Sequence, residues 1–482
     1  MNAWFTLALL LPTVTSFILC SAFWGRSQSL PDWLARAFVS FGVGVGLSSC
    51  TFFFGLLSGN RSRTGLTILD ALLLAVAGAI LLAMRHLGSE DGTPGLQRAS
   101  PCASLITYLL ASPLLVATLI SFHYCIRYAA AHPHGTWDSW SIWTLKARFL
   151  FRSGAHWRDA FSPVIAYSHP DYPILLPATI DRLWTYLQHE ALFVPTMLGF
   201  FFMLCTVGLV MSSVAVMRSK SQALLAGAVL LTTPFFVKHA VSADAESPFM
   251  FFVLATTVLL IMSDSAPRML VLSGLTASLA AWTKNEGLLF LVSVITSLAA
   301  LLFVARGWNA CVRAVSLFIV GACPVLIVIV LFKSQVHAGN WLFGPTPNGV
   351  SILGRLMDVG RYSMISKYYY REIPRFGEWE ISMVPVLVAY FFLMGHLRGL
   401  KEKPGLVAVI GALAIASLGY FFVYVITPTE LAWQLDTSLN RILLQFWPAA
   451  VVVFFCVTRT PEEALALPCA RLIVPGMTDQ GK

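Results

Sequence analysis

Five segments place charged residues beside long apolar stretches, where a charge is costly and needs an explanation. They read HPHGTWDSWSIWTLKARFLFRSG, YSHPDYPILLPATIDRLW, HAVSADAESPF, AAWTKNEGLLFL and WQLDTSLNRILLQFWP. Their carboxylates and imidazole can accept a proton, whereas their lysines and arginines can hold a phosphate. Each segment alone is a weak signal, and each has a purely structural alternative.

The first segment combines an aromatic stripe with charges. Tryptophan recurs at every third position, at Trp137, Trp140 and Trp143. This spacing predicts one side of a helix, and tryptophan favours the membrane–water interface. Asp138 either complements the dipole of that helix or serves as a general base. Lys146 and Arg148 follow about two turns later and bind either lipid phosphates in general or one particular phosphate.

The second segment is rich in proline. His169 and Asp171 stand next to Pro170, Pro173 and Pro177, which predict a stiff, non-helical entry into a helix. Asp171 is either a cap of that helix or, with His169, part of a binding site.

The next two segments place charges in very short turns. Asp244 and Glu246 either are solvated and cap the following helix or belong to a site. Lys284 and Glu286 either pair with each other or leave the lysine free for an anionic ligand.

The fifth segment places Arg441 at the mouth of the last apolar stretch, with Asp436 upstream. An arginine fork suits phosphate because it makes two charge-assisted hydrogen bonds. The alternative is a side chain that extends towards lipid headgroups in general.

The composition indicates the class of protein in which these residues are positioned. Of 482 residues, 57% are hydrophobic and 11% charged, with a net charge of +9. Soluble domains are nearer a quarter charged, so a soluble enzyme or a nucleic-acid-binding protein is excluded. We expect an all-α polytopic membrane protein with about 13 spanning helices, the first of them retained rather than cleaved. The predicted spans are 3–24, 33–57, 65–85, 104–126, 190–216, 221–238, 247–263, 268–283, 287–305, 311–332, 381–396, 405–427 and 443–458.

Two long amphipathic connections divide the chain. We predict N-terminal spans over 1–126, a first loop over 127–189, a transmembrane core over 190–332, a second loop over 333–380, C-terminal spans over 381–458 and a cytoplasmic tail over 459–482. The second loop is basic and aromatic and is expected to fold over the site or to lie on the membrane surface. Its relevant residues are Arg355, Arg361, Lys367, Tyr368 to Tyr370, Arg371 and Arg375.

Basic residues predict the orientation. If helices alternate, five basic residues lie in the short turns on the side of the long loops: Arg61, Arg63, Lys238, Lys284 and Arg441. The opposite side carries Arg26, Arg36, Arg85, Arg98, Arg218, Lys220, Arg268, Arg306, Arg313, Arg398, Lys401, Lys403, Arg459, Arg471 and Lys482. The positive-inside rule then places the long loops outside the cytoplasm, although the excess disappears once their own basic residues are counted. A tail without a dilysine or KDEL ending favours a bacterial inner membrane over the endoplasmic reticulum.

Several chemistries lack their motifs. The nine cysteines occur singly, which predicts small buried side chains rather than a disulfide framework or a zinc site. Neither GxxxxGK[ST] nor HExxH occurs, so ATP-driven transport and zinc hydrolysis are disfavoured. The acidic residues are dispersed and predict no metal site, and the need for a divalent metal is left open.

The order of these features resembles the integral-membrane GT-C glycosyltransferases, such as the dolichyl-phosphate-mannose protein mannosyltransferases and the lipid A aminoarabinose transferases. The resemblance covers about 120–450. It rests on the Trp137–Asp138 loop start, on HPDYPILLP, on Asp244, on Thr283 to Leu288, and on the region from Arg441 to Pro448. Three extra N-terminal spans, Asp138–Ser139 in place of an acidic pair, and KNEG at the lysine junction depart from the family pattern.

The resemblance implies site residues and partners. Asp138 would be the general base on the acceptor. Lys284, with Lys146, Arg148 and Arg441, would hold the donor phosphate. The sugar or acceptor would contact Asp244, Glu246, His169, Asp171 and Trp137. The partners would be a polyprenyl-phosphate sugar, a glycan, lipid or protein acceptor, and membrane lipids.

The resemblance therefore predicts an inverting transferase acting on the extracytoplasmic face. Two alternatives remain: a flippase or transporter of a lipid-linked glycan, and an oligosaccharide ligase that uses a diphosphate-linked donor.

Overall fold

The computed structural model of the chain describes residues 3–25, 29–86, 101–339, 341–344, 349–380, 382–397, 399 and 402–464. The predicted tail beyond residue 464 lies outside the described residues, as do the basic residues Arg26, Arg98, Arg398, Lys401, Arg471 and Lys482.

Helices dominate the first half of the described chain. The first four are α1 (Ala3–Trp24), α2 (Leu30–Ser58), α3 (Arg63–His86) and α4 (Pro101–Ala131). The first long loop contains a π-helix (Ser139–Trp143), α5 (Thr144–Arg152), two 3₁₀ helices (Gly154–Phe161 and Pro163–Ser168) and α6 (Leu175–Leu187). This loop is thus built of short helices, as predicted.

The remaining helices form the core and the C-terminal part. They are α7 (Phe193–Met217), α8 (Lys220–Leu231), α9 (Pro234–Ala240), α10 (Glu246–Met262), α11 (Met269–Thr283), α12 (Glu286–Arg306) and α13 (Trp308–Val336). The second loop holds α14 (Ile352–Met357) and α15 (Val359–Glu372), and α16 (Met383–Met394), α17 (Pro404–Ile426) and α18 (Leu431–Val457) follow.

The all-α polytopic membrane fold is confirmed, but the number of 13 spans is not. Among the described residues, nine helices are long and apolar enough to cross a membrane, or ten if α8 and α9 form one span bent by 73°. That bend falls at Pro234, which cannot continue the hydrogen bonding of a helix. Three other predicted spans are helices of only 17, 15 and 12 residues, namely α10, α11 and α16, whereas a span needs about 20.

Two of these short helices form the centre of the molecule. Every residue of α11 except Val271 is buried, as is every residue of α10 except its last, and the two helices pack against each other and against α13 and α18. A helix that is apolar all round is expected to be buried in this way. Because α10 begins at Glu246 and the antiparallel α11 ends before Lys284, these two charges meet at one end of the pair.

The first long loop is fixed to the membrane helices by a buried ion pair. Arg182 on α6 donates to Asp70 on α3 over 2.5 Å and to the carbonyl of Ala8 on α1 over 2.6 Å. The hydroxyl of Tyr186 also donates to Asp70, over 3.3 Å. Each member of the pair is only 2% exposed, so α6 is a buried support rather than a surface helix.

The second loop crosses the ends of several helices. Arg361 on α15 donates to three carbonyls at the end of α17, and Arg371 pairs with Asp436 on α18 over 2.9 Å. Farther along, the carbonyl of Gly377 accepts from the amide of Phe235 at the start of α9. The loop therefore packs over the same end of the bundle as the first loop.

The position of Arg441 differs from the prediction. The last helix begins at Leu431, twelve residues before the predicted start, so Arg441 lies within α18 rather than at its mouth. The hydropathy pattern missed this extension because the added turns are polar on the side that faces the second loop.

Candidate active site

An ion pair joins the first loop to the last helix. The Arg441 guanidinium donates through Nη1 to Oδ2 of Asp138. Both side chains are 28% exposed, so solutes can reach this pair, unlike the Asp70–Arg182 pair. Asp138 thus contacts one of the predicted phosphate-binding cations directly.

The backbone around Asp138 is held by the turn before α10. The hydroxyl of Ser139 donates to the carbonyl of Ala243 over 3.0 Å, and the amide of Thr136 donates to Ser242. Gly135 has φ of +71°, and a Cβ there would lie 2.3 Å from the Ser242 carbonyl oxygen. A glycine is required at this close approach.

A second ionic group surrounds Lys284. Its ammonium lies 2.9 Å from Glu246 and 3.3 Å from Glu286, so the predicted pairing with Glu286 is confirmed and a second carboxylate is added. The amide of Gln445 also donates to Glu246, over 2.8 Å. Lys284 is 6% exposed and Glu246 is 2% exposed. Glu246 is therefore a buried partner of Lys284 and not a solvated surface carboxylate.

The tight turn at Lys284 depends on a glycine. A Cβ at Gly287 would lie 2.2 Å from the carbonyl carbon of Ala280, so the start of α12 packs directly on the last turn of α11. This contact brings Lys284 and Glu286 to the same end of the core.

One face of α18 connects the two ionic groups. Arg441 and Gln445 are four residues apart and therefore neighbours on the helix surface. Arg441 binds Asp138 and Gln445 binds Glu246. Asp138 and Lys284, 146 positions apart in the chain, consequently belong to one assembly, in which Arg441 also interacts electrostatically with Glu246 and Lys284.

Asp244 lies beside this assembly with a histidine that the sequence analysis did not select. Its Oδ2 is 2.8 Å from Nδ1 of His239, and its Oδ1 accepts from the amide of Glu246 over 3.0 Å. Asp244 therefore binds the first amide of α10 from the residue before the N-cap Ala245, and it is buried rather than solvated. The histidine could have been found from the sequence, since it shares the short turn HAVSAD.

The HPDYP segment is a non-helical turn, as predicted, and it packs against the lysine junction. Asp171 accepts from the side-chain amide of Asn285 over 2.6 Å, and its carbonyl accepts from Lys333. The hydroxyl of Tyr172 donates to Glu286 over 3.3 Å. Asp171 thus fixes the turn beside Lys284, and nothing in the sequence singled out Lys333.

Lys146 lies beneath the same turn. Its ammonium is fully buried and donates to the carbonyl of His169 over 2.6 Å. Burial lowers the pKa of Lys146 to about 7, although Asp171 acts in the opposite direction, and burial also lowers the pKa of His169. The ring of His169 stacks on Tyr172, and its φ of +51° places it in the left-handed region. Lys146 therefore supports the turn rather than presenting its ammonium to the surface.

The structure places Trp137 and Arg148 away from these contacts. Trp137 is 61% exposed and packs edge-on against Trp140, whereas Trp143 is buried and stacks on Tyr172. The three tryptophans therefore do not form one exposed stripe, because the π-helix turns Trp143 inwards. Arg148 lies 3.6 Å from Glu190.

Two cavities lie beside the first loop. A cavity of about 450 Å³ lies between α4 and α7, and neither it nor the small cavity beside it is lined by Asp138, Lys284 or Arg441. Within the described part of the chain, no three His, Cys, Asp or Glu side chains are grouped as a metal site would require. Of the seven cysteines whose side chains the structure describes, six are buried, as predicted, and Cys323 is exposed.

Comparison of the chain with protein-family models, with curated proteins and with solved structures gives no match.

Proposed function

We propose that this chain is an inverting glycosyltransferase that moves a sugar from a polyprenyl-phosphate donor to a glycan, lipid or protein acceptor. The observation that supports the proposal best is the shared face of α18, which joins the accessible Asp138–Arg441 pair to the buried Glu246–Lys284 pair. The assembly lies where the first loop meets the membrane helices, which suits a substrate with a lipid chain and a polar head.

Arg441 is the cation best suited to meet the donor phosphate. Its side chain is 28% exposed, whereas its Nε is buried. Lys284 lies behind it and offsets the charge of Glu246 and Glu286. Cations held in place before the reaction stabilise the charge that develops on a leaving phosphate.

Asp138 is the proposed base. In the structure its Oδ2 is occupied by the guanidinium of Arg441. A donor phosphate that takes Arg441 would release the carboxylate beside the sugar. The acceptor oxygen then attacks C1 of the sugar, the bond from C1 to the phosphate oxygen breaks, Asp138 takes the acceptor proton, and polyprenyl phosphate leaves with the bonding electrons.

The stereochemistry and location follow from this proposal. A single displacement from the face opposite the phosphate inverts the configuration at C1, and it needs one base rather than the two carboxylates of glycosidases. The excess of basic residues in the opposite short loops favours an extracytoplasmic site in a bacterial inner membrane.

Reconstituted protein separates this function from its two alternatives. The chain in liposomes is given a radiolabelled sugar on prenyl monophosphate or on prenyl diphosphate, with an acceptor extract. We expect labelled acceptor only from the monophosphate donor. Transfer only from the diphosphate donor would identify a ligase, and movement of donor between leaflets without a new glycosidic bond would identify a flippase. Either outcome would overturn the proposal.

A further inference from the structure

The large cavity opens among residues that face the membrane. Its walls come from the end of α4 and the start of α7, which are the helices that enter and leave the first loop. Cys125, Ile126 and Ala129 line one wall, and Phe193 and Thr196 line the other. Ile126 is 57% and Phe193 53% exposed, so the cavity is accessible from the side of the bundle. Its 450 Å³ lies in the range of small-molecule sites.

Positive charge lies beside this cavity, at the small one. Pro133 and Leu192 line both the large cavity and the small one, which is also lined by His134 and Arg148. Arg148 and Arg152 share one carboxylate, that of Glu190, at 3.6 and 2.5 Å. These three side chains leave one positive charge uncompensated at the end of an apolar cavity, which is the pattern that an anionic amphiphile fits.

We propose that the large cavity binds an acyl chain of a membrane phospholipid with a single negative charge, between α4 and α7, with the phosphate at Arg148 outside the small cavity, whose volume of about 10 Å³ is that of one water molecule. The ionic assembly at Asp138 is separate, because none of Asp138, Lys284 and Arg441 lines either cavity. A prenyl phosphate donor needs Arg441, which lines neither cavity, so a phospholipid is the occupant. Such a lipid would bind whether or not the chain transfers a sugar.

Native mass spectrometry of the purified full chain tests this site. Phosphatidylglycerol is compared with phosphatidylcholine of the same chains, and prenyl phosphate is added as a competitor. We expect one phosphatidylglycerol bound about fivefold more tightly than phosphatidylcholine, which is the factor for one cation near a headgroup. Arg148→Gln should abolish this preference while both lipids still bind. Thr196→Trp should abolish binding of both lipids by filling the cavity.

Two control variants test whether the effects are specific to this site. Arg371→Gln removes another exposed, carboxylate-paired arginine, and Val330→Trp adds a ring to an exposed position on α13. Both should retain the lipid and the preference. If Thr196→Trp does not fold, Ile126→Trp fills the cavity from an exposed position on the other wall. Equal affinity for the two lipids, an unchanged preference in Arg148→Gln, or displacement of phosphatidylglycerol by equimolar prenyl phosphate would overturn the proposal.

Discussion

Two aspartate–arginine pairs connect the first loop to the membrane helices, and they differ in their surroundings. Asp70 and Arg182 are each 2% exposed and have further partners in Tyr186 and the Ala8 carbonyl. Asp138 and Arg441 are each 28% exposed. The first pair is closed and holds the loop in place, whereas the second can exchange its partner. Burial, rather than residue type, distinguishes a structural pair from a candidate catalytic one.

The largest expected effect is on transfer by the accessible pair. Asp138→Asn should reduce the turnover of labelled sugar by about 10²–10⁴-fold, the usual contribution of a positioned base. Its melting temperature should change little, since a partly exposed pair contributes about 1 kcal/mol or less. The control Asp436→Asn alters another carboxylate that pairs with an arginine, Arg371, and should retain full turnover. Full turnover in Asp138→Asn would remove that residue from the mechanism.

The closed pair should respond in the opposite way. Arg182→Gln leaves Asp70 buried without its cation, which we expect to cost about 3–5 kcal/mol of stability. The measurement is thermal unfolding in detergent, with Arg371→Gln as the exposed control. A melting temperature equal to that of the wild type would show that the Asp70–Arg182 pair does not fix the loop.

A smaller effect concerns the buried lysine beneath the turn. The pKa of Lys146 is about 7 in the folded chain and 10.5 when unfolded, so between these values the unfolded chain binds more protons. Stability should therefore rise as the pH increases from 7 to 9, by on the order of 1–2 kcal/mol. Lys146→Met should lose this rise, as measured by melting curves of both proteins at the two pH values. Parallel pH profiles would contradict the burial of a neutral amine.

The smallest effect is expected at the surface of the second loop. Removing the Arg371–Asp436 pair by Asp436→Asn should change the stability by less than about 1 kcal/mol, because both side chains are exposed. A larger loss of melting temperature would show that this loop is fixed to α18 more firmly than its exposed contacts indicate.

Local features were predictable from the sequence, and distant ones were not. The hydropathy pattern predicted the apolar helices. The closeness of Lys284 and Glu286 in the sequence predicted their ion pair. The partner of Asp138 lies 303 positions away, and no local pattern encodes such a distance. The long α18 was missed because its first turns are polar, and this hid the face that places Arg441 above Gln445.

Burial was the other property that the sequence did not provide. Lys146 and Arg148 are two positions apart and were given the same role, yet Lys146 is fully buried, whereas Arg148 is partly exposed and lines the small cavity. Their environments depend on the packing of α5 against its neighbours, which the spacing of charges does not determine. Lys333 was missed for the same reason, since only the fold brings it to Asp171.

The affinity for prenyl phosphate in two variants tests most directly whether Arg441 is shared between Asp138 and the donor. If Asp138 and the donor phosphate compete for the guanidinium of Arg441, the two variants should change the affinity for prenyl phosphate in opposite directions. Asp138→Asn should bind prenyl phosphate more tightly than the wild type, and Arg441→Gln should bind it at least about tenfold more weakly, the loss expected for a charge-assisted hydrogen bond. Equal weakening in both variants, or no change in either, would contradict the shared arginine.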